Sequence, residues 1–287
     1  MPWIFVLIWS TGFIVARYGM PHAPPLKFLA LRFALSLACF IVWAQVARVQ
    51  WPRERAQWWH LAVVGVLMQA GYLGGVWAAV KAGIGAGTVA LLVGLQPVLT
   101  AVWITATTRS ENWAKSRVSV AQWLGLVLGL SGLTLVVWHK LGGGEVTHWN
   151  LALAIFALLC ITSGTLYQKR FVAPCDVGAA SAIQLGAALV VCLPIAFGET
   201  EGIVWHHEMI GALAWSVLVL TLGGSSLLYL LIQRGAATQV ASLMYLVPPC
   251  TAVLAWLLFG EAFTVSMALG MLLTAAGVAL VVRSPSR

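Results

Sequence analysis

One apolar run of fourteen residues occurs twice in this chain, and each copy carries proline near its middle. Residues 89–102 read VALLVGLQPVLTAV; residues 240–253 read VASLMYLVPPCTAV, and eight of the fourteen positions are identical. A proline inside a helix removes one backbone donor and clashes with the preceding turn, so it bends the helix. In lipid such a break is tolerated only where neighbouring helices or a solvated cavity satisfy the released carbonyl. The carbonyls concerned belong to Val93 in the first copy and to Met244 and Tyr245 in the second. Pro97, Pro248 and Pro249 are therefore the expected kinks, and matched broken helices point to a solute pathway between them.

Composition decides the medium. Of 287 residues, 61% are hydrophobic and 8% charged. Soluble domains carry about a quarter charged residues, so this chain belongs in a bilayer. A spanning helix needs roughly 20 mostly apolar residues. Windows of that length fall near 2–20, 27–46, 59–80, 85–108, 120–138, 149–168, 177–198, 208–232, 236–259 and 265–282. The expected fold is all-α: a polytopic membrane protein of ten transmembrane helices.

The repeat extends beyond the opening run. Trp9-Ser10-Thr11-Gly12 with Arg17 aligns with Ile161-Thr162-Ser163-Gly164 and Lys169. Gly125, Gly132 and Leu135-Val136-Val137 align with Gly270, Gly277 and Leu280-Val281-Val282. Each half thus holds five helices, and an odd number inserts the second half upside down. The expectation is two inverted five-helix repeats, 1–141 and 148–287, meeting at Leu141-Gly142-Gly143-Gly144-Glu145.

The net charge of +8 does not indicate nucleic acid, because the basic residues sit between apolar segments rather than along a stripe. With both termini cytoplasmic, that side receives Arg48, Arg53, Arg55, Arg109, Lys115, Arg117, Lys169, Arg170, Arg234, Arg283 and Arg287. The other side keeps Arg17, Lys27, Arg32, Lys81 and Lys140. That asymmetry follows the positive-inside rule. The N-terminus lacks the basic opening of a cleavable signal and reads as the first span. Cys39, Cys160, Cys192 and Cys250 lie in apolar runs and Cys175 in a connection; their spacing suggests packing rather than disulfides or metal. Gly71/Gly75, Gly83/Gly87 and Gly125/Gly129 have the spacing that lets helix backbones approach closely.

Catalysis finds little support. The carboxylates and histidines all fall at helix ends or in connections. Ser131, in Gly129-Leu130-Ser131-Gly132, would need a base, and His139 lies roughly 12 Å along the same helix at 1.5 Å per residue. No metal or cofactor is called for. Since no Asp, Glu or His stands at membrane depth, transport would follow the substrate's own gradient. No basic residue is expected at mid-depth either, which argues against anionic nucleotide-sugars.

Polar and aromatic side chains inside the spans mark the candidate pocket. Thr88, Leu92, Gln96, Thr100 and Trp103 fall on one helical face. Gln69 and Tyr72 belong to the third span, Ser163 and Tyr167 to the sixth, and Gln184 to the seventh. Ser226 and Tyr229 lie in the eighth, Ser242 and Tyr245 in the ninth. Trp9, Trp77 and Trp103 would supply aromatic walls, whereas Trp43, Trp51, Trp58, Trp59 and Trp149 suit the lipid–water interface. Arg17 with Lys169, and Glu111 with Glu261, occupy matched positions at opposite faces and would form gates at the two mouths.

On Trp9-Ser10-Thr11-Gly12-Phe13, Leu31-Arg32-Phe33, Pro97, Gly125, Gly132, Pro248, Glu261, Gly270 and Gly277, the chain resembles the EamA-type drug/metabolite transporter superfamily. Within it, the chain is most similar to the aromatic amino-acid exporter branch. The resemblance implies a ten-helix carrier of the bacterial inner membrane, exporting amino acids, other metabolites or cationic drugs. A small-molecule substrate and the lipid bilayer are the implied partners and no nucleic acid is; the oligomeric state stays open, a monomer being compatible. The competing classes are a membrane-embedded enzyme, which lacks acid–base pairs, and a channel, which lacks a filter sequence.

Overall fold

A computed structural model describes residues 2–107, 120–142, 144–224, 227, 246–262 and 264–283, and among them every regular element is helical. The elements are α1 (Pro2–Gly19), α2 (Pro25–Val46), α3 (Arg55–Lys81), α4 (Ala86–Val93), α5 (Gln96–Thr107) and α6 (Val120–Gly142). They continue with α7 (His148–Phe171), α8 (Val177–Gly198), α9 (His207–Gly223), α10 (Val247–Phe259) and α11 (Val265–Arg283). By length and composition α2, α3, α7 and α8 can each cross a membrane, and most of the rest are shorter apolar helices.

Local chemistry sets the ends. Pro25 opens α2, where its missing N–H costs nothing. Thr147 and Asn150 form a reciprocal capping box at α7, and the Asp176 carboxylate accepts from the Gly178 N–H at α8. Gly260 ends α10 in the left-handed region at φ 64°, a conformation glycine adopts without a side-chain clash.

The packing repeats itself under an exchange of halves. Pair α1 with α7, α2 with α8, α3 with α9, α4–α5 with α10, and α6 with α11. Then α2–α8, α4–α10 and α6–α11 are contacts between equivalents. The contact α3–α8 maps onto α9–α2, α3–α7 onto α9–α1, and α1–α10 onto α7–α4. Even the wide turns correspond: α3 is π-helical over Val66–Gly71 and α9 over Trp215–Gly223.

Hydrogen bonds fix directions. The Lys81 Nζ, at the end of α3, donates to the Met20 carbonyl just beyond α1, whereas Gln57, at its start, bonds Ala173 just beyond α7. The C-terminal ends of α1 and α7 therefore lie at opposite ends of α3. One end of the bundle carries Glu145, Glu199, Glu201, Glu208 and Glu261 and is called the acidic face below.

Glycines set the closest approaches. A Cβ on Gly132 would lie 2.5 Å from the Gly270 carbonyl oxygen, and one on Gly277 2.5 Å from that of Gly125. α6 and α11 thus meet backbone to backbone, as the spacing of Gly125/Gly129 leads one to expect. Gly71 and Gly75 likewise seat against Cys160 and Ala157 of α7. The Gly83/Gly87 pair behaves differently. Gly83 is a turn residue at φ 98° with open space around it, because α3 ends before it; only Gly87 packs, on Ala252 and Met267.

The surface is apolar and the interior holds polar groups. Trp43, Trp51, Trp58, Trp59 and Trp149 are all exposed, as expected of a lipid–water belt. Ser10, Ser36, Thr88, Thr162, Ser216 and Thr251 are buried. All five cysteines are free thiols, and only Cys160 and Cys192 are fully buried. Replacing Gly270 by Leu should force α6 and α11 apart at a cost of about 1–3 kcal/mol. Thermal unfolding in detergent should show a clear drop for Gly270→Leu and almost none for Gly211→Leu, which meets nothing within 4 Å.

Candidate functional site

The first proline run does not form a bent continuous helix. α4 ends at Val93, Gly94 and Leu95 turn, and α5 starts at Gln96, so Pro97 stands in the first turn of a new segment. Pro248 and Pro249 likewise occupy the first turn of α10. Proline has no N–H to offer there, and none is required. The two breaks touch: a Cβ on Gly94 would lie 2.9 Å from Pro248 Cγ.

A cavity opens beside this contact. One chamber, about 190 Å³, is lined by Gly94, Gln96, Pro97, Pro248 and Pro249 together with Trp9 and Tyr72. A second, about 140 Å³, is lined by Gln69, Trp77, Thr221 and Arg32, and shares Trp9, Phe13, Met68, Tyr72 and Ile161 with the first. The breaks therefore face the interior. The Gln96 amide donates from Nε2 to Thr165 Oγ1 at 2.8 Å, joining α5 to α7. Trp77 stacks on Phe28, and Trp9 packs at a tilt against Phe5.

Of the residues expected in the pocket, the structure brings together Trp9, Gln69, Tyr72, Trp77 and Gln96, with the three prolines. Thr100 is buried beyond the chambers, its hydroxyl without a hydrogen-bond partner. Trp103, on α5 past the break, is 60% exposed, and Ser163 of α7 is exposed too. Tyr167 bonds His60 at 2.9 Å in a ring cluster with Phe171, well away from the chambers. Gln184 is half-buried where Gly65 meets its backbone. Ser226, Tyr229, Ser242, Tyr245 and Glu111 lie outside the described residues. Ser131 is exposed and donates to the Leu128 carbonyl.

Sequence reasoning missed Arg32. The charge asymmetry assigns it to a membrane face and leaves mid-depth without a basic residue. Instead its side chain is 8% exposed and lines the second chamber, because it stands two turns inside α2 and points at α9. The signal was present: an arginine eight residues into an apolar helix is an intramembrane charge.

Glu261, expected as a gate, caps a helix and forms no ion pair among the described residues. Its Oε1 accepts from the Ala86 N–H at 3.0 Å, and Glu145 Oε1 accepts from the Gly85 N–H at 3.0 Å. Two carboxylates thus sit on the N-terminus of α4, where the helix dipole favours negative charge. Lys140 Nζ reaches Glu145 at 2.7 Å, Lys81 pairs with Glu201, and Glu199 accepts from the Leu26 and Lys27 N–H groups. Arg17 and Lys169 form no ion pair among the described residues; Lys169 is exposed at the end of α7. His22, His206 and Glu208 converge on the same face closely enough to hold a metal ion, with His22 Nε2 3.0 Å from Glu208.

An interior cavity between symmetry-matched, broken helices in a lipid-facing bundle defines a membrane transporter. The chain belongs to the EamA-like transporter family, whose pattern it matches over residues 3–138 and again over 148–283. It is 26% identical over 285 residues to a probable amino-acid metabolite efflux pump of Salmonella typhimurium, covering 96% of this chain and 91% of that protein. It is 25% identical over 279 residues to the uncharacterized transporter YvbV of Bacillus subtilis, covering 96% and 88%. One protein of solved crystal structure superposes with a TM-score of 0.65 at 20% identity, covering 98% of this chain and 95% of its own.

Removing a capping carboxylate should loosen the acidic face. Glu261→Ala should lower stability by about 1 kcal/mol and Glu261→Gln by less, since the amide still accepts one hydrogen bond. Unfolding midpoints in detergent check both.

Proposed function

We propose that this protein is a secondary carrier of the bacterial inner membrane, exporting or exchanging small organic solutes such as amino acids and related metabolites. It would work by alternating access between two inverted five-helix halves, residues 1–141 and 148–287, with both termini cytoplasmic. In that orientation the acidic face is the outer mouth. The observation that carries the reading is the contact of Gly94 with Pro248 beside a cavity walled by Trp9, Tyr72 and Gln96. Carriers place their sites where interrupted helices from two halves meet. The opposite directions of α1 and α7, and the packing that maps onto itself when halves are exchanged, support inversion. The family match and the efflux-pump relative support solute export.

Purified protein in proteoliposomes should show saturable uptake of amino acids, accelerated by substrate loaded on the far side. A pH gradient alone should drive no accumulation. Gln96→Ala, which removes the amide bridging α5 and α7, should lower kcat/KM about tenfold, the worth of roughly one buried hydrogen bond. Flux that rises linearly with concentration and ignores trans substrate would mean a channel instead.

A further inference from the structure

We propose that Arg32 is an anion subsite that seats the carboxylate of the transported solute, so that this carrier selects acids and zwitterions over organic cations. The proposal rests on the carrier reading and adds the charge of what is carried.

Arg32 is the eighth residue of α2, roughly 10 Å along the axis from Pro25. An arginine near a membrane face normally snorkels, laying its stem along the protein with its head in water. This one does not: only 8% of it is exposed, and the head lines the chamber shared by Trp9, Gln69, Tyr72 and Trp77. A guanidinium stays protonated under all relevant conditions and presents five donors in a planar fork. Among the described residues its sole acceptor is Thr221 Oγ1, 3.4 Å from Nε and 3.3 Å from Nη2. Both contacts are longer than the usual 2.9 Å or so. Nη1 has no acceptor there at all.

The missing counter-ion cannot come from the acidic face. Glu199 is held by two backbone N–H groups of α2, Glu201 by Lys81, Glu208 by His22, Glu145 by Lys140 and Gly85, and Glu261 by Ala86. Of the other described acids, Asp176 caps α8 and is exposed, as is Glu54 beside Arg55, both at the opposite end of the bundle. A buried, unpaired charge is costly, and inside a membrane span such a residue marks a substrate or ion pathway. The chamber is where a visitor would arrive, and an oxyanion meets the free edge of the fork with two parallel hydrogen bonds.

The geometry also limits the visitor to one such group. α2 and α8 span 22 residues each, and the eighth position of α8 is Gln184, so the second half offers a neutral amide where the first offers a cation. Thr221 aims the guanidinium. Its hydroxyl donates to the Ser216 carbonyl at 2.8 Å across the wide turn of α9 and receives Arg32 on its remaining lone pairs. Trp9, Tyr72 and Trp77 then face whatever the carboxylate carries.

The test uses matched probes on the whole protein: phenylalanine, phenylalaninamide and phenethylamine, with the corresponding leucine set. Binding is read by thermal stabilisation in detergent and transport by counterflow in proteoliposomes. Wild type should bind each acid about ten- to a hundredfold more tightly than its amide or amine. Arg32→Gln should erase that preference by weakening the acid alone, and Arg32→Lys should restore part of it. Wild-type selectivity needs no variant, so a misfolded Arg32→Gln leaves the question answered. Equal binding of acid, amide and amine, or no binding of any acid, overturns the subsite. An acid that binds selectively yet shows no counterflow would instead retire the carrier reading and leave the subsite standing.

Discussion

The contact between Gly94 and Pro248 is the constraint from which the rest of the molecule follows. Each partner sits where a helix cannot continue its hydrogen-bond ladder, and a broken ladder cannot face lipid. The breaks must turn inward, and glycine, with no side chain of its own, lets the Pro248 ring seat directly on its backbone. α4 and α10 are thereby tied together, and the chambers lined by Trp9 and Tyr72 open beside the contact. α1 closes the same region from the side: its Ser10 carbonyl accepts from the Thr251 hydroxyl of α10 at 3.2 Å.

The close glycine contacts make the surrounding frame stiff enough to hold that opening. α6 and α11 pack through Gly125, Gly132, Gly270 and Gly277, at a distance where no side chain fits. Gly65 brings α3 equally close to the backbone of α8 at Gln184. Such contacts gain van der Waals energy where the hydrophobic effect gives nothing, since lipid tails are as apolar as leucine. A small second cluster, Leu91, Val136, Ala252, Met267 and Met271, then links the α6–α11 pair to the broken helices. Movement of one half against the other would therefore carry the breaks with it.

How far the sequence could be read depended on what each signal measures. Hydropathy located the helices, because a run of apolar residues long enough for a bilayer has few other uses; α8 falls on its expected 177–198 span. Internal repetition located the breaks, since proline chemistry is local. What periodicity could not resolve was the direction each face points. The mean apolar character is so high that a cavity-facing side chain and a lipid-facing one share the same pattern. Hence Gln96 was found and Trp103, one helical face along, turned out to be 60% exposed. Tyr167 was misplaced for another reason: its partner His60 lies 107 positions away and leaves no local trace. The π-helical turns at Val66–Gly71 and Trp215–Gly223 were invisible as well, because a single extra residue per turn changes no composition.

Arg32 shows how these levels interact. Its depth is decided by α2 starting at Pro25 and by Glu199 clasping the N–H groups of Leu26 and Lys27. That clasp holds the nearest carboxylate at the helix N-terminus, about 7.5 Å along the axis from Arg32 counted from Lys27. The other acids are taken up in the same way, by lysines and by the α4 N-terminus, where the dipole stabilises them better than a distant guanidinium could. Each acid of that face thus has a partner of its own, and the positive charge beneath it stays uncompensated. The contacts that hold the acids at that face are the ones that leave the fork of Arg32 free.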